Sequence, residues 1–179
     1  MGVNVSEVFG QNFEFPFYIE AMTGGTERAD KINRQLAEIA KNQHLAMAVG
    51  SQSIALKFPE LAAGFSEVRK IHSSGFLFAN IGAGHSLENA KRAVDMIEAN
   101  ALEIHVNTAQ ELPMDEGDRE FYWLENINEI ASQLEVPVIV KEVGFGISQK
   151  TFKALAKTAV SGINIGGAGG TNFAWIERK

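Results

Sequence analysis

Short apolar runs recur along this chain about every 30 residues, the length of one βα unit, and a helix-forming stretch separates each pair. The runs cover 15–22 (FPFYIEAM), 45–50 (LAMAVG), 75–82 (GFLFANIG), 101–107 (ALEIHVN), 136–144 (VPVIVKEVG) and 162–167 (GINIGG). They are rich in Val, Ile, Leu and Phe without strict alternation, as in a parallel sheet covered on both faces. Between them lie helical stretches at 26–43, 60–72, 86–100, 120–134 and 148–160. Thr26 and Ser86 are suited to cap the first and third of these. In the first, Ile32, Leu36, Ile39 and Ala40 fall at helical spacing and predict an apolar face. Two folds satisfy such alternation: a doubly wound sheet and a (β/α) barrel.

The residues at the end of each run discriminate between the two folds. The six runs open into AMTGG (21–25), GSQS (50–53), ANIGAG (79–84), HVNTAQE (105–111), KEVGFG (141–146) and GGAGGTNF (166–173). A doubly wound sheet binds mainly at one switch point, whereas a barrel gathers every strand end around one mouth. Polar and glycine-rich residues at six consecutive strand ends therefore favour the barrel, in a single domain over residues 1–179.

Composition narrows the functions. The chain has no cysteine, which excludes a disulfide framework, a thiolate zinc site and a cysteine nucleophile. Its net charge of -6 argues against a sequence-independent nucleic-acid surface. No apolar run approaches the length of a bilayer span and no secretory signal is visible, so the expectation is a soluble, cytoplasmic chain without a membrane partner.

At the predicted mouth, Lys141 ends an otherwise apolar strand, either as a snorkelling surface lysine or as a cation facing developing negative charge. His105 and Asn107 share one face of an extended segment. His44, His72 and His85 lack such company and read as solvated. Glu111 either holds a cation or caps the next element. Asp115, Glu116 and Asp118 read as a solvated acidic loop. Thr23, Ser51 and Asn80 are placed to hydrogen-bond an amide-rich ligand edge, although small residues there also simply let the chain turn. GGAGGT either lays backbone N–H groups on an anion or flat ring, or is a flexible turn. It is not a P-loop, and no helix suited to a dinucleotide fingerprint is evident after it.

Taken in order, AMTGGT, VGSQ, FANIGA, HVNTAQE, EGDR, VPVIVKEVGFG and GGTNFAWIE resemble the type 2 isopentenyl-diphosphate isomerases over nearly the whole chain. That resemblance implies a (β/α)8 TIM barrel using FMN, with NADPH as the usual reductant. It implies that Met22, Thr23, Ser51, Asn80, Lys141 and Thr171 contact the flavin. His105, Asn107 and Gln110 would face isopentenyl or dimethylallyl diphosphate, Gln110 near the reacting carbons, and Glu111 would hold Mg2+. The reduced flavin would act as acid and base in this step of isoprenoid biosynthesis, in a homo-oligomer.

The chain departs from that pattern in two ways. Ser53 stands where many members carry an arginine for the diphosphate. The family's N-terminal substrate motif and its strands seven and eight have no counterpart, so an incomplete barrel of about six βα units, truncated at both ends, is expected. Two other readings remain open. One is a flavin barrel oxidising a 2-hydroxy acid, for which no His–Arg cluster is visible; the other is a catalytically inactive fragment.

Overall fold

The computed structural model describes residues 6–112, 121–168 and 172–177, without the side chains of Ser6, Gln110, Phe173 and Glu177. A hairpin, β1 (Ser6–Val8) and β2 (Gln11–Phe13), precedes the main sheet. The sheet comprises β3 (Tyr18–Ile19), β4 (Ala46–Ala48), β5 (Leu77–Gly82), β6 (Ala101–Val106), β7 (Val138–Glu142) and β8 (Gly162–Asn164). All neighbours are parallel and their spatial order is the chain order. A doubly wound sheet reverses that order at its switch point. Here every crossover steps the same way, and right-handed crossovers then put all the helices on one face. The described strands form an arc of a (β/α) barrel, with β3 and β8 as its edges.

The helices are α1 (Glu27–Asn42), α2 (Ser53–Lys57), α3 (Ala62–Ile71), α4 (Leu87–Met96), α5 (Thr108–Glu111), α6 (Leu124–Gln133), α7 (Gln149–Leu155) and α8 (Phe173–Glu177). A 3-10 turn at Pro59–Leu61 leads into α3. Thr26 caps α1 by accepting from the Ala29 N–H, and Ser86 and Ser148 do the same for Asn89 and Thr151 at α4 and α7. Among the described residues no helix is long and apolar enough to cross a membrane.

One expected face is corrected in part: Leu36 and Ala40 pack on the core as expected, but the two isoleucines do not. α1 buries Ala29, Asn33, Ala37 and Ala40, whereas Ile32 and Ile39 are 37% and 49% exposed. The alanines let the helix axis come close to the sheet, and Asn33 sits among them to hydrogen-bond Thr23 at the first strand end. Sequence periodicity located the helix but turned it by a fraction of a turn. The hairpin and the short helices α2, α5 and α8 were not expected. Of these, α8 follows the glycine-rich segment but has only five residues.

Strand residues alternate between two clusters. Leu77, Ile81, Leu102, Ile104 and Val140 pack outward against the helices. Ala46, Phe78, Ala101 and Ile139 point inward, where the hairpin's Phe9 and Phe13 cover them. Phe76 joins the two aromatics of the hairpin, at 6.5 Å from Phe9 and 5.2 Å from Phe13. An apolar hollow of about 390 Å³ remains between Phe15, Phe17, Phe78 and Ile139. Residues 1–179 expressed alone would carry this hollow and two sheet edges into solvent. Such a polypeptide is expected to bind an apolar dye and to self-associate, as dye fluorescence and sedimentation would show. A dye-indifferent monomer would refute this.

Candidate functional site

Two residues beyond the inward apolar layer, the same strand faces become polar. Asn80, Glu103, Lys141 and Asn164 follow Phe78, Ala101, Ile139 and Gly162 at the two-residue period of a strand. The register pairs Asn80 with Glu103, His105 with Lys141, and Lys141 with Asn164. Side chains far apart in sequence thereby converge near the C-terminal ends of the strands.

Lys141 is the centre of this cluster. Its side chain is 6% exposed, and its ammonium donates to Oε1 of Glu20. A second carboxylate oxygen, Oε2 of Glu103, lies 3.6 Å away, too far for a hydrogen bond. Glu103 is fully buried, and its Oε2 has no hydrogen-bond partner among the described residues. Its Oε1 accepts from the Tyr18 hydroxyl at 2.8 Å. Asn164 Nδ2 donates at 3.1 Å to both the Tyr18 hydroxyl oxygen and Oε2 of Glu20.

Burial pushes the Glu103 carboxyl up to about 7 against the opposing pull of Lys141. Burial also works against ionisation of Glu20, but its hydrogen bond to Lys141 and that residue's charge outweigh it and hold the carboxyl below its usual value. Burial, followed by the Glu103 and Glu20 charges, pushes the Tyr18 phenol up. Because the folded value of Glu103 lies above its unfolded one, its contribution to stability is complete below about 4.5 and is lost as pH rises through about 7.

His105 Nδ1 lies 2.8 Å from Oδ1 of Asn80, a carbonyl oxygen, so Nδ1 carries the proton and Nε2 is left as an acceptor. Burial, then the charges of Lys141 and His85, lower His105 to about 4, so it is neutral at ordinary pH. Asn80 is itself fixed: its N–H donates to Oε1 of Gln52 at 2.9 Å, and its Nδ2 to the Val49 carbonyl at 3.3 Å. Gln52, wholly buried, also donates to the Ala93 carbonyl at 2.9 Å. The Asn80 amide is therefore engaged within the protein.

The first strand end is held just as firmly. Thr23 donates its hydroxyl to Oδ1 of Asn33 at 2.8 Å, and its carbonyl accepts from Asn33 Nδ2 and the Gly50 N–H, each at 2.9 Å. Met22 beside it is 60% exposed and borders a shallow hollow with Gly24, Ser51, Ser53 and Lys57. Ser51 donates to Ser53 at 2.9 Å, and His85 Nε2 lies 2.7 Å from the Ser53 oxygen. The expectation of solvated histidines holds for exposed His44 alone. His72 is buried with Nε2 3.0 Å from the Leu45 carbonyl, and His85 is part-buried between Ser53 and Asn89.

On the fourth strand end, Asn107 is 9% exposed and donates from Nδ2 to Oε1 of Glu111 at 2.5 Å, across the single turn of α5. The backbone of Gln110 belongs to α5, but its side chain lies outside the described residues, as do Thr171 and the acidic residues Asp115, Glu116 and Asp118. Among the described residues no three His, Cys, Asp or Glu side chains converge as a metal site.

Sequence reasoning missed Glu103, Glu20, Tyr18, Asn164, Asn33 and Glu142. Two signals were available: a Glu inside ALEI, and an Asn on the alanine face of a helix. Glu142 Oε2 accepts from the N–H groups of Gly144, Phe145 and Gly146 at 2.7, 2.5 and 2.9 Å and so folds the fifth loop. Gly144 and Gly146 adopt positive φ there.

No family model matches the sequence. The chain is 98% identical over 174 residues to isopentenyl-diphosphate delta-isomerase of Lactococcus lactis subsp. lactis, covering 97% of this chain and 50% of that protein. It is 54% identical over 178 residues to the protein of the same name from Latilactobacillus sakei, covering 99% and 51%. Among solved structures, a mandelate oxidase variant with 2-hydroxy-phenylacetamide matches with a TM-score of 0.59 at 14% identity, covering 90% of this chain and 50% of that one. The Amycolatopsis orientalis BexX/CysO complex matches with a TM-score of 0.51 at 20% identity, covering 78% and 53%. These structural likenesses show the barrel fold alone. The chain spans about half the length of the curated relatives it matches. Over nearly all of its own length, the chain is similar to about half of each of these isopentenyl-diphosphate delta-isomerases.

Proposed function

We propose that the protein containing these residues is a type 2 isomerase that interconverts isopentenyl and dimethylallyl diphosphate in isoprenoid biosynthesis. The proposal includes FMN, reduced by NADPH, and Mg2+, in a cytoplasmic homo-oligomer. The observation that carries it, beside the shared sequence, is the buried ammonium of Lys141 next to neutral His105 at the strand ends. The residues fit a flavin. A fixed cation in a water-poor site suits an anionic ring, and exposed Met22 borders a shallow hollow with Ser51 at the neighbouring strand ends. They also fit Mg2+ held by one carboxylate, Glu111, with the remaining positions left to water and phosphate oxygens.

Double-bond migration adds a proton at one allylic carbon and removes one from another, with no net redox change. Reduced FMN supplies that acid–base chemistry when bound. Lys141 balances negative charge beside the ring, and Asn80 holds His105 so that Nε2 can accept from a substrate or a water. Asn107 orients Glu111, and Gln110 and Thr171 complete the proposed contacts. The test is an anaerobic assay of the full-length protein in two arms, isopentenyl diphosphate with reduced FMN in one and a panel of 2-hydroxy acids with oxidised FMN as the electron acceptor in the other. Conversion to dimethylallyl diphosphate is expected. Oxidation of a hydroxy acid without isomerisation would overturn the reading.

Glu111→Gln keeps an oxygen for Asn107 but loses the charge. It is expected to raise the Mg2+ concentration needed for half-maximal activity by about tenfold, in line with the loss of one hard anionic ligand. An unchanged Mg2+ titration would remove Glu111 from the metal site.

A further inference from the structure

One lysine faces two carboxylates here, and the two are unequally placed. Glu20 stands at the first strand end with a side chain 41% exposed, whereas the Glu103 side chain is wholly sealed. Glu20 spends its oxygens on Lys141, Asn164 and the Ala21 N–H, all near the rim. Glu103 is anchored from one oxygen by Tyr18 and turns the other, without a hydrogen bond, toward Lys141. A buried carboxylate oxygen left without a donor is costly unless the site uses it.

We infer that Glu103 is a positioning residue for Lys141, the permanent partner that holds the ammonium from within the barrel, while Glu20 is the exchangeable partner that an anionic ligand displaces. This rests on the flavin reading above for the identity of that ligand. An anion arriving at the mouth meets Glu20 first, since Glu103 is covered. Once Glu20 has yielded, the Tyr18–Glu103 pair keeps the ammonium from following the ligand or collapsing into the apolar layer. The titratable groups around Glu103 are Tyr18 from β3, Glu20 just after it, Lys141 from β7 and His105 on its own strand; β5 and β8 present the amides Asn80 and Asn164. With Lys141 shared between two carboxylates, ionisation of Glu103 near pH 7 adds a second charge competing with the ligand.

Two arms test this in the full-length protein. In the first, affinity for reduced FMN is measured across neutral pH in the wild type, Glu103→Gln and Glu20→Gln. Wild-type affinity is expected to fall as pH rises through about 7. Glu103→Gln should hold its low-pH affinity, leaving a gap of about tenfold one pH unit above neutrality. Glu20→Gln should bind severalfold tighter throughout. A Glu103→Gln profile parallel to wild type at every pH would overturn the inference. The second arm needs no flavin: the nitrogen resonance of the Lys141 ammonium is followed against pH. It should show the Glu103 titration in the wild type and lose it in Glu103→Gln. A resonance indifferent to the substitution would also overturn the inference. If the protein binds no FMN at all, the flavin reading falls and the ammonium arm alone decides the role of Glu103.

Discussion

On the isomerase function proposed above, replacing Lys141 with Met in the full-length protein is expected to slow turnover by roughly 100- to 1,000-fold, the range seen when one preorganised electrostatic group is removed from a reacting centre. Methionine keeps much of the apolar stem's volume and removes only the charge. Its loss leaves Glu20 and Glu103 facing each other across the barrel interior. Part-exposed Glu20 can turn toward water, while buried Glu103 responds by holding its proton more tightly. The fold should therefore survive while affinity for reduced FMN falls. Oxidised FMN, whose ring is uncharged, should lose less affinity than the reduced form, because the missing interaction is with negative charge on the ring. Equal losses for both redox forms would mean that Lys141 supports the pocket and not the charge. Wild-type turnover would remove it from the site.

Gly50→Ala is expected to be the most damaging single methyl added to the strand ends. A Cβ on Gly50 would lie 2.3 Å from the Thr23 carbonyl oxygen and 2.4 Å from its carbon. Both are backbone atoms, so no rotamer change relieves the clash. The Thr23 carbonyl also accepts the Gly50 N–H and Asn33 Nδ2, so moving it strains both bonds. The cost should sit at or above the upper end of the roughly 1–3 kcal/mol typical of overpacking. Gly167→Ala is the control. A Cβ there meets nothing within 4 Å, and the residue is exposed. Denaturant unfolding of the two variants should separate them clearly. Equal midpoints would show that the Thr23–Gly50 contact is not a constraint on the fold.

The architecture was legible in the sequence because its signals are local. Strand and helix periods, the Thr26 and Ser86 caps and the polar residues ending each strand are all read within a few neighbours, and together they favour a barrel-like order. The two-residue period of a strand predicted one shared face for His105 and Asn107, but β6 ends at Val106 and Asn107 is the N-cap of α5. Where the sequence fell short, the deciding interaction was distant. The orientation of α1 was set by Asn33 reaching Thr23, not by the isoleucines of its own repeat.

The charge cluster could come only from long-range packing. Tyr18 meets Glu103 across 85 positions of sequence, and Lys141 meets Glu20 across 121. These partners are chosen by strand order and register, which fix the inward layer and the heights at which side chains meet. In sequence, Glu103 stands out as one charged residue in an apolar strand, but nothing local says which groups it meets. Curvature of the sheet seals it, lifts its proton affinity through burial and sets it beneath Lys141. The residue types at the mouth were thus written in the chain, while their charge state and partners were decided by packing.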